Sequence, residues 1–168
     1  MAFSMYEASV PAVIHYLTSL SAIIDKAQAY CEAKKVDPAV LINFRLRPDM
    51  LPFARQVQIA SDLAKGMASR LAEADVPSFP DSEVTFDDLK ARIAKTVAHV
   101  KSFTPVQISG SEDREVTLKA GPNELKFTGA QYLTQFVLPN FYFHITTAYA
   151  ILRHCGVELG KNDFLGRT

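Results

Sequence analysis

Seven apolar or small residues, Val10, Val13, Leu17, Leu20, Ile24, Ala27 and Cys31, follow one another at alternating steps of three and four. A β-strand repeats every two residues, so it cannot use that pattern. An α-helix can, and the result is one long apolar stripe that must be covered by other helices. Two more stretches repeat the pattern. Phe53, Val57, Ala60, Ala64, Met67 and Leu71 form one stripe, and Phe86, Leu89, Ile93, Val97 and Val100 form another. A chain with three such stripes is constrained towards a helical bundle.

The helix boundaries follow from local chemistry. Ser4 and Glu7 have the spacing of a capping box, which satisfies two free amides at a helix start. The first helix is expected from Ser4 to about Lys34. Pro11 either kinks it or sits in the first turn of a helix capped by Ser9, and the kinked helix is preferred. Asp37-Pro38 opens a short helical turn. The second long helix starts around Pro52 and ends before VPSFPDS, a loop rich in proline and serine. Thr85 and Asp88 form a variant capping box for the third helix, which stops before Thr104-Pro105.

The period then changes to two. Val116 and Leu118 alternate with polar neighbours, as do Leu125 and Phe127, and Ala120-Gly121-Pro122-Asn123 lies between them. This predicts a β-hairpin whose apolar face covers one end of the bundle. The fourth helix is expected from Gly129 to His154, with Gly156 to terminate it and a kink at Pro139. The long link between the third and fourth helices suits a crossover. The fold class is therefore all-α: a four-helix bundle with a β-hairpin before the last helix, in one domain spanning 1–168.

Composition narrows the function classes. Eighteen basic residues balance eighteen acidic ones, which argues against nucleic acid as the main partner. There is no uncharged apolar run of about 18 residues to span a membrane. The opening MAFSMYEASVPAVIHYL lacks a basic start, and Glu7 interrupts its apolar stretch, so a secretory signal is not expected. Cys31 and Cys155 match no metal-binding or redox motif and read as reduced thiols of a cytoplasmic protein. P-loop, GxGxxG, HExxH and GxSxG motifs are all lacking.

The fourth helix carries the candidate chemistry. Continued from Leu133 in steps of four and three, its seam reads Val137, Asn140, His144, Thr147, Ile151 and His154. Asn140 and His144 share a helix face one turn apart. Phe136, Phe141, Tyr142, Phe143 and Tyr149 surround them. Polar groups in an aromatic wall describe a small-molecule pocket, and equally a buried network that fixes helix register. His144 suits acid–base work by its ordinary pKa. Gln56, on the flank of the second helix, is placed to reach the same pocket, while Arg55 and Gln58 point further out. His15 falls on the solvent side of the first helix and His99 on the flank of the third. Arg153 and His154 suit the C-terminal end of the fourth helix. Lys90, Arg92, Lys95 and Lys101 read as a solvated face.

The stretches MYEASVPAVIHYL, RLRPDMLPFARQVQIASD and LPNFYFHITTAYAILRHCGVELGKNDFLG resemble a bacterial family of unknown function, placed within the DinB/YfiT-like superfamily of metalloenzymes. The resemblance covers nearly the whole chain and implies a four-helix bundle and a homodimer. Relatives in that superfamily hold a divalent metal with one histidine from the second helix and two ligands from the last helix, four positions apart. Some are transferases or isomerases that use low-molecular-weight thiols. Carried onto this chain, the last-helix pair falls on Asn140 and His144, and only His144 matches. No histidine stands between Pro52 and Glu73, where Gln56 is the nearest polar residue. Such a set holds zinc or nickel weakly.

Three functions follow as expectations. The first is a small ligand bound between helices by Asn140, His144, Thr147, Gln56 and Tyr142, at a degenerate metal site with no assigned metal ligand. The second is a metal-dependent transferase or isomerase, with His144 and a carboxylate such as Asp49 on the metal. The third is a structural homodimer through the aromatic last helix. No cofactor, catalytic residue, nucleic acid or membrane partner is assigned.

Overall fold

A computed structural model describes residues 4–120 and 122–167. Four long helices form the body: α1 (Met5–Lys34), α3 (Phe53–Leu71), α4 (Phe86–Lys101) and α7 (Leu138–His154). Short helices α2 (Pro38–Ile42), α5 (Pro105–Ile108), α6 (Gly129–Gln131) and α8 (Lys161–Phe164) lie in the connections. Strands β1 (Glu115–Ala120) and β2 (Asn123–Thr128) pair antiparallel, with Val116 opposite Phe127 and Leu118 opposite Leu125. Gly121 of the predicted turn lies outside the described residues, as do Met1–Phe3 and Thr168.

The predicted caps are present. Ser4 Oγ accepts from the Glu7 amide, and Thr85 Oγ1 accepts from the Asp88 amide, each with the reciprocal carboxylate bond. Asp37 caps α2 by accepting from Ala39 at 2.9 Å. Helix α1 runs through Pro11 without a break, and Ser9 is buried, donating to the Met5 carbonyl. Gly156 ends α7 at φ +94°, with the Val157 amide returning to the Leu152 carbonyl. A Cβ there would also stand 3.0 Å from the Tyr30 hydroxyl.

Helix α3 packs chiefly on α7 and α4, while α1 packs on α4 and α7. Side-chain pairs give the directions. Asp62 meets Arg92 and Ser69 meets His99, so α3 and α4 run parallel. Gln56 meets His144 and Arg70 meets Tyr132, so α3 and α7 run antiparallel. Tyr16 meets Tyr142 and Tyr30 meets the carbonyl of Cys155, so α1 and α7 are parallel. The segment 72–85 must therefore return along the full length of the α3–α4 pair before α4 can start.

The stripes of α1 and α3 are fully buried as expected, as is that of α4 apart from half-buried Val97. By length and hydropathy α1 also passes as a membrane span, but its apolar stripe lies inside the bundle. The fourth helix differs from expectation. Residues Tyr132–Val137 form a π turn, in which the Leu138 amide bonds to Leu133, five residues back. Pro139 cannot donate to Gln135, and the wider turn accommodates that lost bond. The extra residue shifts the phase of everything after it. The buried seam becomes Leu133, Val137, Phe141, Ile145, Ala148 and Leu152, with the predicted Ile151 also buried. Asn140 and His144 move to the half-buried flank and His154 to the surface, while Thr147 stays buried.

Candidate functional site

Two faces of α3 carry nearly all the buried polar chemistry. On the α7 face, His144 Nδ1 lies 2.7 Å from Gln56 Oε1. The Gln56 amide nitrogen donates to the Leu51 carbonyl at 2.9 Å. That second bond fixes the first. Nε2 must face the carbonyl, so Oε1 faces the imidazole, and His144 Nδ1 is the donor. The histidine is held as its Nδ1–H tautomer with Nε2 free of this pair. Burial lowers its pKa below the ordinary imidazole value, so the ring is neutral near pH 7.

Asn140 and Thr147 flank His144 on the same helix. Asn140 Nδ2 donates to the Phe136 carbonyl at 2.6 Å, and Thr147 Oγ1 donates to the Phe143 carbonyl at 2.7 Å. Tyr142 does not join them. It stands on the other side of α7, edge-on to Tyr16 of α1 with ring centroids 5.2 Å apart. Burial raises its phenol pKa. Of the five residues singled out from sequence, the fold thus places Gln56 against His144, leaves Asn140 and Thr147 beside them, and turns Tyr142 away. Asp49 is far more exposed and, among the described residues, pairs only with Arg47, at 3.8 Å. A cleft of about 660 Å³ lies elsewhere, between α1 and the segment after α7, lined by Lys26, Tyr30, Lys34, Val157 and Glu158.

The α4 face of α3 holds residues whose roles the sequence did not reveal. Arg92, expected on a solvated surface, is buried, with its side chain 2% exposed. It pairs with Asp62 at 3.0 Å, Asp81 at 3.1 Å and Glu83 at 2.9 Å, and donates to the Pro80 carbonyl at 3.1 Å. Gln58 is buried rather than outward-pointing and donates to Glu83, while Arg55 bonds Gln58 and Asp81. Lys65 and Lys95 both stand over the Phe79 ring, 4.3 and 4.0 Å from its centre. Together these groups bind the returning segment 72–85 to the bundle. The one sequence signal was the acidic pair Asp81 and Glu83 in the proline- and serine-rich loop. His99, on the flank of α4, is half-buried and shares a 2.9 Å hydrogen bond with Ser69. Burial, and then Lys65, lowers its pKa.

The remaining histidines serve the chain ends. His15 is exposed as expected, and its Nε2 bonds the Leu165 carbonyl at 2.9 Å. His154 lies against Phe44, with centroids 5.6 Å apart. Arg153 reaches the Leu159 carbonyl beyond the helix rather than the last carbonyls of α7. Cys31 and Cys155 are free thiols, both with pKa raised first by burial.

The superfamily's three-ligand metal set does not fit these residues. Helix α3 carries no histidine, and Gln56, the polar residue it presents to His144, has its amide engaged at both ends. Among the described residues no three His, Cys, Asp or Glu side chains are grouped to hold an ion. One neutral imidazole beside neutral amides is a poor set for zinc or nickel.

The four helices and their hairpin are of the DinB type. A crystallised DinB family member from Shewanella denitrificans is 40% identical and superimposes with a TM-score of 0.87, over 97% of this chain and 92% of that one. Residues 5–165 match the family described as a domain of unknown function, DUF1993, and the chain belongs to that family. No curated protein matches it.

Proposed function

We propose that this DinB-like bundle binds a small organic ligand on the α3–α7 face, with His144 as the central contact. The Gln56–His144 hydrogen bond carries this reading. A structural cross-link between helices needs only one of the two imidazole nitrogens, and the other is left with a lone pair on a half-buried face. The aromatic surroundings supply the apolar wall usual in such sites. The reading includes a cytoplasmic protein with two reduced thiols. The test is a thermal-shift screen of a metabolite library on the wild type and on His144→Ala. Compounds that raise the midpoint of the wild type and not of the variant are expected. Stabilisation that survives in His144→Ala refutes the reading.

A second reading, a homodimer through α7, is favoured by one observation. Phe143 is 55% exposed beside His144. Light scattering on the eluting protein decides it, since a monomeric mass excludes the dimer.

A further inference from the structure

The polar row on α7 has a consistent polarity. Asn140 turns its amide nitrogen onto the Phe136 carbonyl, which uses one of its two N–H groups and leaves Oδ1 and the second N–H. Thr147 gives its hydroxyl hydrogen to the Phe143 carbonyl and leaves oxygen lone pairs. His144 gives its Nδ1 hydrogen to Gln56 and leaves Nε2. Each assignment is forced by a partner that can only accept, two backbone carbonyls directly and the Leu51 carbonyl through Gln56. The three groups follow at steps of four and three, on one stripe of the helix. Phe143 stands edge-on to the imidazole, with centroids 5.2 Å apart, and Phe136 is half-buried one turn before Asn140.

Charge adds a second constraint. Burial lowers the His144 pKa, which favours the neutral ring that the Gln56 bond also requires. Arg55 bonds Asp81 and Gln58, and Arg45 bonds the Met50 carbonyl. An anion arriving at this row meets mainly acceptors: Asn140 Oδ1, His144 Nε2 and Thr147 Oγ1, with one Asn140 N–H among them. A ligand with N–H or O–H groups finds acceptors and aromatic rings, the combination that also suits an ammonium group.

We propose that Gln56 is a positioning residue that fixes His144 as an acceptor, and that the row Asn140–His144–Thr147 recognises a ligand through its N–H or O–H donors, not an anion or a divalent metal. This rests on the ligand-binding reading above and gives it a chemical class. The tautomer is read without ligand, from long-range ¹H–¹⁵N spectra of the labelled full chain. The class is read from the shift of the Nε2 resonance on adding ethylammonium, acetamide or acetate, three probes of similar size.

The expected result is an Nδ1–H imidazole whose Nε2 resonance moves with ethylammonium and acetamide and not with acetate. An Nε2–H imidazole overturns the proposal, even if ligands still stabilise the protein through His144, in which case the broader reading stands. A larger response to acetate than to acetamide also overturns it. Silence from all three probes refutes the ligand class and counts against the broader reading. Zinc binding at micromolar concentration, lost in His144→Ala, overturns the exclusion of metal. Gln56→Leu is expected to give mixed tautomers and to lose the donor response, and an unchanged spectrum removes Gln56 from its role. If Gln56→Leu does not fold, Gln56→Glu keeps an acceptor at the same place and is expected to retain the Nδ1–H state.

Discussion

Helix α3 meets α4 and α7 with opposite kinds of chemistry. Against α4 it uses full charges, most of them paired with one another, with only Arg92 Nε unpartnered among the described atoms of that guanidinium: one buried guanidinium, three carboxylates, and two lysines over one ring. Against α7 itself it sets the neutral pair Gln56–His144, open on one side, and uses a charge only at Arg70, on the Tyr132 hydroxyl before α7 begins. The closed cluster has a clear structural task. Parallel neighbours need a long return segment, and that segment lacks the apolar residues to hold itself down. The open row has no such task, because α3 and α7 already pack through Val57, Ala60, Ala64 and Phe141 within the buried core. Buried charge therefore does not mark the candidate site in this molecule.

The sharpest way to break the comparison is Arg92→Ala. It leaves three carboxylates around an empty space, and a loss of about 3–5 kcal/mol is expected for a broken buried ion pair. Urea denaturation measures it, and a loss below about 1 kcal/mol, the range of exposed pairs, would class the cluster with surface salt bridges. The neutral side is expected to be weaker. Gln56→Leu removes the partner of His144 Nδ1–H and of the Leu51 carbonyl, and a cost of about 1–3 kcal/mol follows from unsatisfied buried groups. A cost equal to that of Arg92→Ala would erase the difference between the two faces.

The smallest effect is in pH. His144 and His99 both have pKa values lowered in the fold, first by burial. The unfolded chain then binds protons more readily than the folded one. Their contribution is present above the unfolded imidazole pKa of about 6.5 and is lost as pH falls through the lower folded values. Melting temperature is expected to be flat from neutral to mildly alkaline pH and to fall on acidification, with a smaller fall in His144→Gln. A rise on acidification would mean that a carboxylate reaches one of the rings.

Much of the architecture was legible in the residues. The stripes of α1 and α3, the boxes at Ser4 and Thr85, the stop at Gly156 and the period-two hairpin are local signals, and the fold follows them. The site was legible only in part. Gln56 and His144 were named and do meet. The seam of the last helix was misphased because a π turn adds a residue, and step-counting from Leu133 cannot detect it. Pro139 was the available warning, since a missing amide must be accommodated somewhere. Arg92 was missed because its partners come from residues 62, 81 and 83, and no pattern within α4 points to them.

The bond between His15 and the Leu165 carbonyl joins residues 150 positions apart, and the Lys26–Asp163 pair spans 137. Phe164 sits between Tyr16 and Tyr149, on the same side of α1. Contacts this remote in sequence close late, because the loop they complete contains nearly everything else. During synthesis the aromatic face of α1 leaves the ribosome first and waits for the segment around Phe164 before it is covered.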